Sequence, residues 1–308
     1  MLDDDQRNEI ERARATVATT LRPTAPGLEA VMHTPFPVLD HGFIRVVDYM
    51  GDDSAVVQAA RVSYGRGTRR SSEDRGLIRY LMRHWHSTPF EMCEIKLHVK
   101  LPIFVARQWI RHRTANVNEY SARYSVMDRE FYLPDREHLA AQSSTNRQGR
   151  EGQLSEQEAD EVLRLLRADA ERGHESYRWM LNDPEFGEVD PERAGVSREL
   201  ARIGLSLATY TQWYWKVDLH NLLGFLRLRA DAHAQYEIRA YADVILDLLR
   251  RWVPMVHEAF LDYRLGAVSL SREEVDVVRE LIRGEHPDRD ATGLSAREWD
   301  ELRNRFDF

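Results

Sequence analysis

The chain has 308 residues, of which 43 % are hydrophobic and 31 % charged, and its formal net charge is −8. That length and balance suit a globular protein with a sizeable core, as one large domain or two small ones. An acidic total argues against sequence-independent binding to DNA or RNA, which needs a basic face to release counterions. In chain order, residues 1–25 read as a polar, Arg- and Glu-rich helix ending before Pro23. This start has no apolar run of the secretory kind, and no stretch of ~18 apolar residues follows, so a cytoplasmic protein with no membrane partner is expected. GFIRVVDYMG (42–51) is strand-like, and residues 53–62 read as a short helix leading into the glycine-containing loop SYGRGT. Residues 72–84 carry Leu77, Tyr80, Leu81 and His84 at helical spacing, and HSTPFE (86–91) breaks the pattern at Pro89.

EIKLHVKL (94–101) alternates: Ile95, Leu97, Val99 and Leu101 on one side, Lys96, His98 and Lys100 on the other. A half-buried strand is expected. Just before it stands Cys93, the only cysteine, so no intrachain disulfide exists. No cationic or helix-N-terminal setting favours a thiolate there, and a small buried hydrophobe is expected. Pro102 opens a helix over IFVARQWIRH, at its first position. Residues 138–160 are polar and read as a surface loop or insertion, and an amphipathic helix is expected over 156–182. Ser197 reads as an N-cap, with Glu199 in the first turn of a helix running to about Tyr214. Residues 219–253 form one or two more buried helices, and Ser271-x-x-Glu274 and Ser295-x-x-Glu298 are capping-box patterns in a charged tail. No internal repeat is visible. The order predicts an α+β fold, with helices packed around a small, mostly antiparallel sheet. Neither a GxGxxG after a strand nor a GxxxxGK[ST] is present, so a bound nucleotide would use neither of those sites.

Three segments carry chemistry. Residues 107–129 hold Arg107, Arg111, Arg113, Arg123 and Arg129 and no lysine. The planar guanidinium fork suits phosphate through paired, charge-assisted hydrogen bonds. On a helix Arg111 shares a face with Arg107 and Gln108, whereas Arg111 and Arg113 diverge unless the helix ends near His112. Asn118, Glu119 and Ser121 then read as a polar loop able to meet a base or ring edge. The bland alternative is a solvated arginine face. In the second segment, His84 and His86 diverge on a helix and lack a third ligand, so no metal is expected and a hydrogen-bonded corner is the plainer reading. In the third, residues 227–235, Arg229 and His233 share a helix face beside Ala230, Ala232 and Ala234. A flat ligand or close helix packing would both explain it. No GxSxG elbow is present.

Together these segments resemble the flavin-dependent thymidylate synthases. That family's signature, Arg-His-Arg, seven residues, then Ser, stands here as RHRTANVNEYS from Arg111 to Ser121. SAVVQAARVSY (54–64), HSTPFE, FVARQWIRHR (104–113), RELARIGL (198–205) and FLRLRADAHAQYEI (225–238) add to the likeness in order. The resemblance implies that family's fold and reductive methylation of dUMP to dTMP. The carbon would come from 5,10-methylenetetrahydrofolate and the electrons from NADPH through FAD, in a homotetramer whose active sites are shared between subunits. It further implies dUMP contacts at Gln108, Arg111, Glu119, Ser121, Ala122 and Arg123, with Arg202 as a phosphate-binding arginine donated by a neighbouring subunit. Arg229 would be catalytic, stabilising the ionised N3 of uracil. FAD contacts would fall at Ser63, Thr88, Arg111, His112, Arg113, Thr114, Glu119, Asp218, His220 and His233, with His86 on the flavin and folate side and no metal. The implied organisation is an N-terminal extension (1–41), a catalytic domain (42–265) with the polar insertion at about 138–160, and a charged C-terminal extension (266–308). Some relatives carry Asn, Arg and Asn at the positions of Asp218, His220 and Gly224. Asp218 and His220 still hydrogen-bond, but Gly224 has no side chain to offer. That departure leaves a competing reading, a nucleotide- or flavin-binding protein without turnover, against which Arg229, Ser121 and His86 stand. Non-specific nucleic-acid binding through the arginines is disfavoured by the net charge.

Overall fold

The computed structural model describes residues 4–62, 71–142 and 150–308, apart from the side chains of residues 71–73 and 151. Among these, strands β1 (Phe36–Val38), β2 (Gly42–Met50), β3 (Glu94–Pro102), β4 (Asn116–Glu119) and β7 (Tyr210–Asp218) form one sheet in the order β1-β2-β3-β7-β4. Every pairing in it is antiparallel. The α+β expectation holds. Strand β3 is central, and its Ile95, Leu97, Val99 and Leu101 face the core as the alternation requires. The other side is only partly solvated, which corrects the half-buried reading in part: Lys96 stays accessible, but His98 and Lys100 are buried as well. Their polarity is matched locally. Arg45 of β2 donates Nε to His98 Nδ1 at 2.9 Å and Nη2 to Glu9 at 2.9 Å, His98 Nε2 meets Gln212 Oε1 at 3.0 Å, and Lys100 pairs with Glu130. Glu9 comes from helix α1 (Asp4–Ala15), which supplies a charge to this second face.

Helix α1 stops at Ala15, well short of the expected residue 22, because the TVATT run from Thr16 is β-branched and resists helix. After the short α2 (Pro26–Glu29), α3 (Asp53–Val62) and α4 (Ser71–Arg83) follow the predicted periodicity. The expected loop SYGRGT lies outside the described residues. Trp85, at φ 61°, turns the chain after α4, and Pro89 starts a new short helix, α5 (Thr88–Glu91), rather than only ending an old one. Pro102 is the N-cap of α6 (Ile103–Trp109), one position earlier than predicted.

The expected surface loop over 138–160 contains a hairpin, β5 (Ala140–Gln142) with β6 (Arg150–Gln153), and then the Ser155–Glu158 capping box that opens α7 (Glu156–Leu181). The largest correction falls on 197–214. Ser197 makes no side-chain cap, α8 (Arg198–Ala201) is a single turn, and β7 occupies what was read as helix. Tyr210, Thr211, Trp213, Tyr214, Trp215 and Val217 are aromatic or β-branched, the composition a central strand packs best. Asp218 then caps α9 (Leu219–Arg229), which α10 (Tyr236–Trp252) and α11 (Pro254–Phe260) follow. Arg229 is the last residue of α9, so Arg229 and His233 do not share a helix face.

Gly266–Phe308 is a separate compact unit from the chain up to Leu265. It consists chiefly of α12 (Arg272–Ile282) and α13 (Ala296–Phe306), both opened by the capping boxes read from sequence and burying Val277 and Leu302.

The core centres on Trp109, the last residue of α6. Its ring meets Phe225 at 4.7 Å, Trp215 at 5.2 Å and Trp213 at 5.7 Å, and it is fully buried. Trp109→Ala is expected to cost about 3–5 kcal/mol and to lower the thermal midpoint by roughly 10 °C, read by circular dichroism.

Burial, and then the Arg45 charge, depress His98 from 6.5 to about 4, so the folded protein holds it neutral. Unfolded chains take up that proton first. Stability is therefore complete above pH 6.5 and is lost as pH falls toward 4, by up to about 3 kcal/mol. Urea titrations at pH 7 and pH 4.5 are expected to show this loss in the native protein and a smaller one in His98→Asn.

Candidate active site

Helix α6 ends at Trp109 because that ring is locked into the core, and the chain then turns outward through Ile110 and Arg111. The arginines Arg111 and Arg113 therefore stand on a loop, as the reading with a helix ending near His112 requires, and both are exposed. Among the described residues no carboxylate pairs with Arg107, Arg111, Arg113 or Arg129. His112 is half-buried against Phe225 at 5.0 Å, and its Nε2 accepts Nε–H of Arg229 at 3.1 Å. Burial, then the Arg229 charge, lowers the His112 pKa, and burial lowers that of Arg229. His112 is thus held neutral with Nε2 unprotonated, and Arg229, whose guanidinium stays charged in any protein setting, is oriented without being neutralised. This bond joins the first and third sequence segments.

Two neighbouring clefts collect the predicted groups. One, of about 690 Å³, is lined by Gln108, Arg229, His233 and Gln235 among others. The second, of about 200 Å³, is lined by His86, His220, Gly224, Trp85 and Arg264 with an apolar floor of Met82, Phe90 and Leu223. Arg227 lines both. His220, Gly224 and Arg227 recur on one face of α9 at i, i+4 and i+7, which is why one helix walls the second cleft. A Cβ placed on Gly224 would meet nothing within 4 Å, so the glycine leaves open space there.

His233 is exposed and held by Asp231, whose Oδ1 accepts its backbone N–H at 2.8 Å and lies 2.9 Å from Nδ1. Both His84 and His86 lie beside Tyr80, at 4.4 and 6.0 Å between rings. Among the described residues neither belongs to a group of three metal-ligating side chains; Asp135, Glu137 and His138 do form such a group.

The remaining predicted residues line neither cleft. Asn118 and Glu119, read as part of a polar loop, lie on the edge strand β4, and Glu119 accepts Thr211 Oγ1–H at 2.8 Å. Ser121, Ala122 and Arg123 form the turn beyond it, where Ser121 Oγ accepts Arg123 N–H at 3.3 Å and Ala122 is buried. Arg123 pairs with the Glu199 carboxylate at 3.1 Å, and Arg202 donates to the Glu199 backbone carbonyl at 3.3 Å. Arg123, read as a dUMP contact, and Arg202, read as a phosphate-binding arginine, thus both bond one residue of the same chain. Asp218 is committed to capping α9 through Asn221, at 2.9 Å to its backbone N–H. Thr88 opens α5 and Thr114 is exposed on the loop after α6. Ser63 lies outside the described residues.

The sequence reading assigned no role to Arg227 and Gln235, which delimit its third segment, and did not single out Arg264. Arg227 was legible as the i+7 partner of His220. Arg264 was not: its guanidinium stacks over Trp85 at 3.4 Å, a contact made only by tertiary folding.

A small antiparallel sheet whose helices bring histidines and amides, and arginines that no carboxylate pairs among the described residues, to two neighbouring clefts has the chemistry that suits planar, anionic ligands. Residues 45–255 match the family model described as "Thymidylate synthase complementing protein". The flavin-dependent thymidylate synthase of Gluconobacter oxydans is 61 % identical over 301 residues, covering 98 % of this chain and 97 % of that one. The enzyme of that name from Ruegeria pomeroyi is 59 % identical over 303 residues, covering 98 % of each. Among solved structures, the UMP/dUMP methylase PolB of Streptomyces cacaoi, bound with 5-Br UMP, is similar at a TM-score of 0.63 and 32 % identity, over 74 % of this chain and 98 % of that one. The chain belongs to the flavin-dependent thymidylate synthases and is accordingly a flavin-using methyltransferase.

Cys93 is fully buried, and burial, then Asp52 and Asp53, push its thiol up to about 12. It is no thiolate at neutral pH. Cys93→Ala is expected to keep dTMP formation within about threefold of the native rate, measured at saturating substrate.

Proposed function

We propose that the chain catalyses the reductive methylation of dUMP to dTMP, with FAD as its flavin, 5,10-methylenetetrahydrofolate as carbon donor and NADPH as reductant. The observation that carries this reading is Arg229, aimed by a neutral His112 at the wall of the larger cleft with no carboxylate to neutralise it among the described residues. A fixed guanidinium lowers the barrier for charge developing on a uracil ring, most strongly where water is excluded.

The donors fit a flavin dinucleotide. Arg111 and Arg113 offer forks for a pyrophosphate, Gln108, Arg227 and His233 offer donors for ring carbonyls, and Gly224 leaves room for a flat ring. FAD contacts are assigned to Ser63, Thr88, Arg111, His112, Arg113, Thr114, Glu119, Asp218, His220 and His233, and dUMP contacts to Gln108, Arg111, Glu119, Ser121, Ala122, Arg123, Arg202 and Arg229. When bound, the flavin supplies the electron pair that takes the transferred carbon to a methyl group. His86, beside Tyr80 in the smaller cleft, shapes the flavin and folate side. At Arg123 a substrate phosphate would displace the Glu199 carboxylate, exchanging one charge-assisted bond for another. Arg202 acts from a neighbouring subunit of a homotetramer, and the enzyme works in the cytoplasm alongside its folate and pyridine-nucleotide co-substrates.

The decisive measurement is anaerobic NADPH oxidation by the FAD-loaded protein with methylenetetrahydrofolate, with and without dUMP, and dTMP assayed at the end. dTMP formed only with dUMP present is expected. Arg229→Ala is expected to lose dTMP formation by about 100-fold or more while its flavin absorbance stays. Flavin reduction without dTMP in the native protein would instead favour a flavoprotein that does not turn over.

A further inference from the structure

His138 and Arg150 have no role in the reading above, yet they grip the start of α10 at two successive residues. His138 stacks on Tyr236, ring to ring at 3.4 Å and 24°. Arg150, on β6, donates Nη2 to both Glu237 oxygens at 2.8 and 2.7 Å and Nη1 to the His138 carbonyl at 2.9 Å. Glu237 is 3 % exposed and serves as a hub: its Oε2 also accepts Gln235 Nε2–H at 2.8 Å, and Tyr132 O–H reaches Oε1 at 3.4 Å. Burial pushes the Glu237 carboxyl up, but the bonds from Arg150 and Gln235 outweigh that and leave it below its ordinary value.

Gln235 is a wall of the larger cleft, and Asp231, His233 and Ala234 precede it in the turn that joins α9 to α10. Arg239 Nη1 bonds the Ala232 carbonyl at 2.6 Å across the same turn. Within the turn one backbone bond, Ala234 N–H to the Asp231 carbonyl at 2.9 Å, is joined by these side-chain ties in setting its shape. A carboxylate this buried is costly unless paired, which makes Arg150 the residue on which the hub depends.

We propose that Arg150 is a positioning residue for the cleft: through Glu237 it fixes Gln235 and the 230–235 turn, so that the β5–β6 hairpin sets how tightly the cleft holds its nucleotide. This rests on the larger cleft being the nucleotide and flavin site. Arg150 touches no reacting atom, so its loss should fall on substrate binding rather than on the chemical step.

The test uses the FAD-loaded full chain and Arg150→Met, Arg150→Lys and the double variant Arg150→Met/Glu237→Gln. The double variant removes the orphaned charge and so separates positioning from misfolding. The expected result for Arg150→Met and for the double variant is a KM for dUMP raised about tenfold or more with kcat changed less than about twofold. Arg150→Lys, which keeps the charge without the fork, should recover part of the loss. Amide hydrogen exchange across residues 230–238, measured without dUMP, should quicken in Arg150→Met and in the double variant. Unchanged exchange there, or an unchanged KM in the double variant, would overturn the proposal. So would a kcat that falls with the thermal midpoint at constant KM. Because exchange needs no turnover, it decides the clamp even where the native protein forms no dTMP, an outcome that would sink the functional reading alone.

Discussion

The packing of Trp109 against Phe225 is the contact on which the site depends. Trp109 ends α6 and Phe225 sits in the middle of α9, and both are buried among Trp213, Trp215 and Tyr241. Two residues beyond Trp109 the chain reaches Arg111 to Thr114, and four beyond Phe225 α9 ends at Arg229. Phe225 also meets the His112 ring, so the aromatic cluster reaches to within one hydrogen bond of the Arg229 guanidinium. Close-packed interiors transmit position with little slack. Side chains a few residues beyond such a contact inherit its precision, whereas those on a free loop would not.

Charge is handled by two different means on the two sides of the sheet. On the face of His98 and Lys100, the buried Arg45, His98 and Lys100 each have a protein partner. Around the clefts the arginines are oriented by neutral groups, His112 for Arg229 and the Trp85 ring and backbone carbonyls for Arg264. Arg229 and Arg264 are left charged and facing open space, the condition under which a phosphate or a developing ring anion gains most from them. Arg123 is the intermediate case, already paired with Glu199 but exposed enough to exchange that partner.

The acidic total, the lone buried cysteine and the arginine stretch are consistent with this division. Surface pairs such as Arg164–Glu161 and Arg279–Asp276 cancel their own charge and are individually weak, whereas Arg227, Arg229 and Arg264 bring theirs to the two clefts. The buried Cys93, its thiol pushed up by burial, offers no thiolate for a nucleophilic step.

The sequence by itself determined whatever depends on neighbours along the chain. The helices at 53–62 and 156–181, the alternation of β3 and the capping boxes at Ser271 and Ser295 are local hydrophobic periods or local hydrogen bonds, and they stand where the residues put them. The family was legible because its motifs keep their order and spacing. Tertiary structure decided the rest. The segment ending in YTQWYWKVD became a strand because the edges of β3 and β4 needed a partner between them, a fact no window of sequence contains. Lys100 and His98 became buried because strands and a helix closed over them. The same holds at the site. Arg229 and His112 are 117 positions apart, and Arg150 and Glu237 are 87 apart. Such pairs are set by which elements pack together, and their chemistry exists only once that packing has formed.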